Sequence, residues 1–414
     1  MKSYKHFALR RLLFFFAFAA VCVLGIAGYW KSIVKKMPKH IYVGQNDETV
    51  LDINIPVTGH VYSYEYDNFT KEADFSRPVT IITGDTGHYS MKMKLFGVIE
   101  LNTVDIEVVD EKMVYPGGFQ TGLYMKSDGA FVVNVSSIKQ STGIEVTPAD
   151  NILMKGDYIL SINGKDVTDK KMLSREVAGC DGQDIILKIK RNEQIFDVSV
   201  RPVLGEDNVY KLGIWVKDDA QGIGSITYID GDGNYGALGH GISDSETDNI
   251  LKIKYGKLYK TRIISIIKGK NGTPGELLGT IEYKDENVLG TITKNTSHGI
   301  YGKIDKEVIN KYNLELMKTG YSHNVKKKSA YVRMYINDSF CDYEIEITDI
   351  NNASENKNIT FKVVSEQLLD KTNGIVQGMS GCPIIQDGKV IGAVTHVFVD
   401  DPTCGYGIFI EKML

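Results

Sequence analysis

No Cys-x-x-Cys pair occurs in this chain, and its five cysteines, Cys22, Cys180, Cys341, Cys382 and Cys404, are scattered and odd in number. Neither a zinc site nor a disulfide framework is implied. Cys382 and Cys404 flank one predicted hairpin and stand near enough in sequence to pair, but free thiols are the simpler expectation. A strong charge of either sign is also missing. The net charge is −4 and the pI is near 6.1, which gives no electrostatic reason to expect a nucleic-acid partner. Tryptophan occurs twice against 41 glycines and 23 tyrosines, a balance suited to many turns and strands. Of 414 residues, 43% are hydrophobic and 24% charged, a globular composition with room for two or three domains.

Residues Leu12 to Trp30 form a 19-residue run without a charge, long enough to span a bilayer. Lys2, Lys5, Arg10 and Arg11 precede it, and Lys31, Lys35, Lys36 and Lys39 follow it. The flanking positive charges tie and do not orient the helix. No A-x-A-like cleavage site closes the run, so an uncleaved anchor is expected over a removed signal peptide. The bulk of the chain then lies outside the cytoplasm.

From residue 41 to 105 short β segments alternate with turns such as Gly84-Asp85-Thr86-Gly87, and no chemistry stands out. A small β region is expected there. Between 106 and 203 the sequence is more telling. Gly156-Asp157-Tyr158-Ile159-Leu160-Ser161-Ile162-Asn163-Gly164 resembles the signature of PDZ domains, which take an extended peptide as an added strand. The Gly-rich stretch Tyr115 to Leu123 precedes a predicted strand, so Gly117, Gly118 and Leu123 are the expected mouth of a peptide groove. A PDZ-shaped spacer with its groove filled internally is the alternative.

A new domain is expected from 204 to 414. It holds Gly374-Ile-Val-Gln-Gly-Met-Ser380-Gly-Cys-Pro383, a serine between glycines that let backbone amides approach closely. Gly-x-Ser-Gly-x-Pro is also the pattern around the nucleophile of chymotrypsin-like serine peptidases. By that pattern the amides of Gly378 and Ser380 form the oxyanion hole. The bland alternative is a tight turn between two strands. A serine nucleophile needs a base. His240, set in Leu238-Gly239-His240-Gly241 at a sharp turn, lies 140 residues earlier, and histidine first, serine last is the chymotrypsin-like order. His298 and His323 stand in polar turn-like segments, and His396 reads as a packed strand residue.

Tyr235-Gly-Ala-Leu-Gly-His240-x-Ile-Ser-Asp244, Thr273-Pro-Gly-Glu276, Gly374 to Gly381 and Val390 to Thr403 resemble the stage IV sporulation protein B peptidases of endospore-forming bacteria. The likeness covers the anchor, the PDZ-like region and the whole C-terminal domain. It implies a mainly β chain made of a transmembrane helix (1–40), a small β region (41–105), a PDZ-like domain (106–203) and a chymotrypsin-like double β-barrel peptidase (204–414). It further implies a membrane-associated serine endopeptidase that reaches the space between forespore and mother cell. There it would cut itself and a membrane-bound regulator, with His240 as base, Ser380 as nucleophile and no cofactor or metal.

Two departures stand out. Relatives commonly carry serine where this chain has Cys382, which is not the nucleophile. The acid that orients the histidine in the family falls on Ser365, which supplies no charge for the imidazolium. Asp244, Glu366 and Asp370 are the carboxylates left to take that role; otherwise the triad is a weakened dyad. A catalytically silent, membrane-tethered PDZ scaffold therefore stands beside the endopeptidase. A housekeeping protease of the HtrA type fits less well, because its PDZ follows the peptidase.

Overall fold

The computed structural model describes residues 21, 24–25, 28–31, 40–45, 48–51, 56–63, 70–82, 86–110, 112–244 and 247–414. The described residues are mainly β, with a few short helices. The expected span Leu12 to Trp30 lies for the most part outside the described residues. Among those described, no helix is long and apolar enough to cross a membrane.

Two compact units divide the chain: Met1–Lys112 with Gly320–Lys326 and Asn351–Ser354, and all the rest. In the first, one sheet runs in the order His40–Gly44, Ile99–Val109, Gly87–Leu95, Val57–Ser63, Thr70–Asp74. Its alternation is legible in burial. Ile41, Val43, Met91, Met93, Val104 and Ile106 fall on one face and are buried together, as a period of two requires.

The second unit contains two closed rings of six antiparallel strands. In the first ring Gln120–Val135 pairs Ile214–Ile229, then Asn234–Ala237, Gly299–Ile304, Val288–Thr296 and Ile253–Ile267, which returns to Gln120–Val135. Phe119, Leu123, Met125, Ile226, Leu238, Leu258 and Ile300 fill its interior. In the second ring Ser329–Ile336 pairs Ser339–Ile350, then Ile359–Val363, Cys404–Phe409, Lys389–Val397 and Pro383–Gln386, which closes on Ser329–Ile336. Closure leaves neither sheet an open edge strand.

The strands Gln120–Val135 and Ile214–Ile229 are each 16 residues long and run out of the first ring. Their far halves join a third lobe with Tyr158–Ile162, Ile185–Arg191, Gln194–Val200 and the helix Lys170–Ala178. Ala130 and Val132 on one strand pack there with Ile159, Leu173, Val177 and Leu187. Beyond residue 204 the chain therefore does not start a separate body; it re-enters a sheet already begun at Gln120.

Gly156-Asp157 has a structural task in this lobe. The fully buried Asp157 accepts hydrogen bonds from Arg191 Nε (2.7 Å) and Nη2 (2.7 Å) and from the Met154 amide (2.9 Å). Asp157→Ala strands the Arg191 cation among groups that no longer neutralise it, at a cost of about 3–5 kcal/mol. A drop of that size in unfolding free energy, read by urea titration, is expected; Gly231→Ala, which meets open space at an exposed turn, serves as the control.

Candidate active site

Ser380 stands in the loop between Val376–Gln377 and the strand Pro383–Gln386. The loop is a tight one and consumes its own amides. Met379 N donates to Val376 O (3.1 Å), Gly381 N to Val394 O (2.8 Å) and Cys382 N to Met379 O (2.9 Å). Among the described residues, the amides of Gly378 and Ser380 have no hydrogen-bond acceptor. Both residues are half-exposed. The two donors picked from the Gly-x-Ser pattern are thus the two the loop leaves free for a developing oxyanion.

The Ser380 hydroxyl donates to Thr395 O at 2.8 Å. His240 arrives at the same strand from the first ring. Its strand Asn234–Ala237 is fed by a turn in which Asp230 Oδ1 accepts from the amides of Asp232 (2.9 Å) and Asn234 (2.8 Å). The chain then bends sharply through Leu238 and Gly239, both with φ of +70°. A side chain on Gly239 would meet Thr395 Cγ2 at 2.9 Å and Ile408 Cγ2 at 3.0 Å. Only glycine lets this turn press onto the strand that holds Thr395. Ser380 and the turn that carries His240 thus both lie against Thr395, one candidate from each ring.

Among the described residues no carboxylate meets the His240 ring. His240 Nδ1 lies 2.9 Å from Gly241 O; with the proton on Nδ1, that carbonyl fixes the tautomer and leaves Nε2 as base. Burial pulls the imidazole below its ordinary value of 6.5, partly offset by the Gly241 bond, and no carboxylate is among the causes. Ser365 is the N-cap of the helix Glu366–Thr372 and accepts from Leu368 N at 3.4 Å. Glu366 and Asp370 point to solvent on that helix. Asp244 is buried but spends its carboxylate on Lys217 Nζ (2.8 Å) and Thr247 N (3.2 Å). His396 is the group that does meet His240. The ring centroids are 5.0 Å apart, and among the described residues His396 Nδ1 is buried without a hydrogen-bond partner. Burial first, then His240 and Lys357, push its basicity down to about 4. His396, which reads as a packed strand residue in the sequence, is thus the ring neighbour of His240.

Residues 208–414, half of the chain, match the model of the SpoIVB peptidase S55 family. The chain belongs to that family. It is a serine peptidase, a hydrolase. A Helicobacter pylori (strain J99) protein named as a candidate zinc metalloprotease is 34% identical over 96 residues, which are 21% of this chain and 27% of that protein. The chain thus spans about a quarter of that relative's length. The PDZ domain of an SdrC-like protein from Listeria innocua is 21% identical, covering 22% of this chain and 93% of its own, with a TM-score of 0.19. In the S55 peptidase no group of three His, Cys, Asp or Glu side chains is placed to hold a metal ion among the described residues.

The residues expected at a PDZ mouth belong elsewhere. Gly117 N donates to Thr227 O (2.9 Å), Gly118 N to Ile226 O (2.7 Å), and Gly118 O accepts from Tyr335 N (2.8 Å). Those amides are spent, and Leu123 is buried inside the first ring. The groove that does exist, of about 720 Å³, lies between the helix Lys170–Ala178 and the residues Tyr210 to Val216. Leu173, Val177, Leu212 and Trp215 line it. Ile214, Trp215 and Val216 pair with the Gln120–Val135 strand on one side, and among the described residues no strand pairs with their other edge.

Two outcomes follow for the peptidase. Catalysis needs neutral His240, so kcat/KM should fall only as pH drops through the lowered histidine value. The acid limb of the pH–rate profile is expected below 6.5; a limb at or above 6.5 contradicts a burial that outweighs the Gly241 bond. Cys382 is fully buried, its thiol donates to Ser225 Oγ at 3.4 Å, and burial pushes its pKa up to about 12. A serine hydroxyl makes the same bond, so Cys382→Ser should keep kcat within about twofold.

Proposed function

We propose that this S55 peptidase is a membrane-associated serine endopeptidase that cleaves itself and a membrane-bound regulator in signalling between forespore and mother cell. The observation that carries the catalytic part is the pair of unpartnered amides at Gly378 and Ser380, beside a hydroxyl and an imidazole drawn to one strand. Two closed six-stranded rings, one bearing His240 and the other Ser380, support the chymotrypsin-like double β-barrel reading. The Ser380 hydroxyl leaves Thr395 O, passes its proton to His240 Nε2 and attacks the scissile carbonyl carbon. The carbonyl oxygen takes up the negative charge between the two amides, and His240 then protonates the departing amine. Gly241 O orients the base without neutralising it, which makes for a slower enzyme than a full triad.

The uncharged apolar run of residues 12–30, long enough to span a bilayer, supports the membrane association, with the bulk of the chain beyond the cytoplasm. The groove beside Lys170–Ala178, with the open strand edge at Ile214 to Val216, supports a PDZ-like lobe that takes an extended peptide from a partner or from this chain. A fluorophosphonate should label the wild-type protein at Ser380, with no labelling of Ser380→Ala. Cells making Ser380→Ala should also accumulate the chain uncut. A second reading, a silent PDZ scaffold, draws on the missing carboxylate at His240; it requires peptide binding without labelling of the wild-type protein, and is sunk by labelling.

A further inference from the structure

We propose that Ser225 is a positioning residue for catalysis, whose hydroxyl holds the oxyanion-hole loop in register with the turn that carries His240. The proposal rests on Ser380 as nucleophile and goes beyond it. Ser225 lies on the strand Ile214–Ile229 of the first ring and is fully buried. Its hydroxyl donates to Gly378 O at 2.8 Å, and its amide donates to Ser380 O at 2.9 Å. Its own carbonyl accepts from Leu238 N at 3.2 Å, two residues before His240. One residue thus bonds both the loop that holds Ser380 and the turn that leads to His240.

The chemistry of these bonds bears directly on the hole. The carbonyls of Gly378 and Ser380 bracket the Met379–Ser380 peptide, whose N–H is one of the two free donors. The other donor is the amide of Gly378 itself, a residue with no side chain to limit its rotation. Fixing the Gly378 carbonyl fixes the plane next to both donors. Two of the three Ser225 bonds use its main chain and would survive any side chain. The hydroxyl is the specific part. A hydroxyl buried in this apolar strand is costly unless bonded, and here it is satisfied as donor to Gly378 O and as acceptor from the Cys382 thiol. The loop that holds the nucleophile is thereby tied to the other ring through a side chain.

The test compares Ser225→Ala, Ser225→Thr and Ser380→Ala in the full chain. Ser225→Ala removes only the hydroxyl bonds. It should lower kcat roughly 10- to 100-fold, the range of a disturbed oxyanion donor, with KM for a short peptide unchanged within about twofold. Inhibition by a peptide aldehyde, which is bound as an oxyanion, should weaken by the same factor as kcat. Ser225→Thr, which keeps the hydroxyl, should recover most of the loss. Thermal unfolding of each variant separates folding from positioning. An unchanged kcat in Ser225→Ala overturns the proposal, and so does a loss that appears in KM alone. If Ser225→Ala does not fold, near-isosteric Ser225→Cys, with its weaker donor, should lose kcat several-fold; full activity there overturns the proposal as well. Ser380→Ala separates the two levels. Full activity in that variant overturns the nucleophile assignment and this proposal with it, whereas an inactive Ser380→Ala beside a fully active Ser225→Ala overturns this proposal alone.

Discussion

Ser380→Ala and His240→Ala are each expected to lower peptide hydrolysis by at least about a thousandfold, and the double variant no further. Without the hydroxyl there is no group at the loop to attack the carbonyl. Among the described residues the hydroxyl donates to Thr395 O, and a main-chain carbonyl cannot carry its proton away once the imidazole is gone. The two residues act in one step, so their losses do not add. What activity remains comes from the free amides of Gly378 and Ser380, which can still polarise a carbonyl for attack by water. Single-turnover rates on one peptide decide the matter. Either single variant within tenfold of wild type would show that the pair is not the working unit.

Gly381→Ala is expected to cost more than about 3 kcal/mol of stability and to abolish activity in whatever folds. Gly381 has φ of +93°, a conformation in which a side chain is strained. An added Cβ would lie 2.1 Å from Ser225 O, 2.5 Å from Leu238 N and 3.0 Å from Leu238 Cα. These are backbone atoms of the first ring, with no flexible side-chain end among them to swing aside. The collision falls on the bond between Ser225 O and Leu238 N that sets the His240 turn. Calorimetry and fluorophosphonate labelling read the two effects. Gly222→Ala, on the strand of Ser225, meets nothing within 4 Å and is the control; equal stability of the two variants would refute the argument.

Ser380, the amides of Gly378 and Ser380, and His240 can be proposed from the sequence because each is announced by its immediate neighbours. Glycines flank both residues, and the chain order matched a known arrangement. Ser225, Thr395 and His396 were not legible. Each lies within an ordinary apolar strand, and its role arises only when strands far apart in sequence pair. The mistaken assignment of Gly117 and Gly118 has the same origin. A Gly-rich loop before a strand looks alike whether its amides face a peptide groove or, as here, the carbonyls of Ile226 and Thr227. Ser365 was read for the charge it lacks, while its hydroxyl serves as a helix cap on Leu368 N. Periodicity located the strands well, but it does not say that one strand serves two lobes.

That last point reaches beyond the active site. A break at residue 204, where the sequence invites one, cuts across a sheet and not a tether. A recombinant piece that stops there keeps the 16-residue strand Gln120–Val135 but loses its mate Ile214–Ile229. It presents a long bare edge, the kind that recruits other chains into aggregates. A piece that begins at 204 has the opposite defect, a first ring with one stave removed. The helix-bearing lobe and the first ring share these two strands, so they have to be made together.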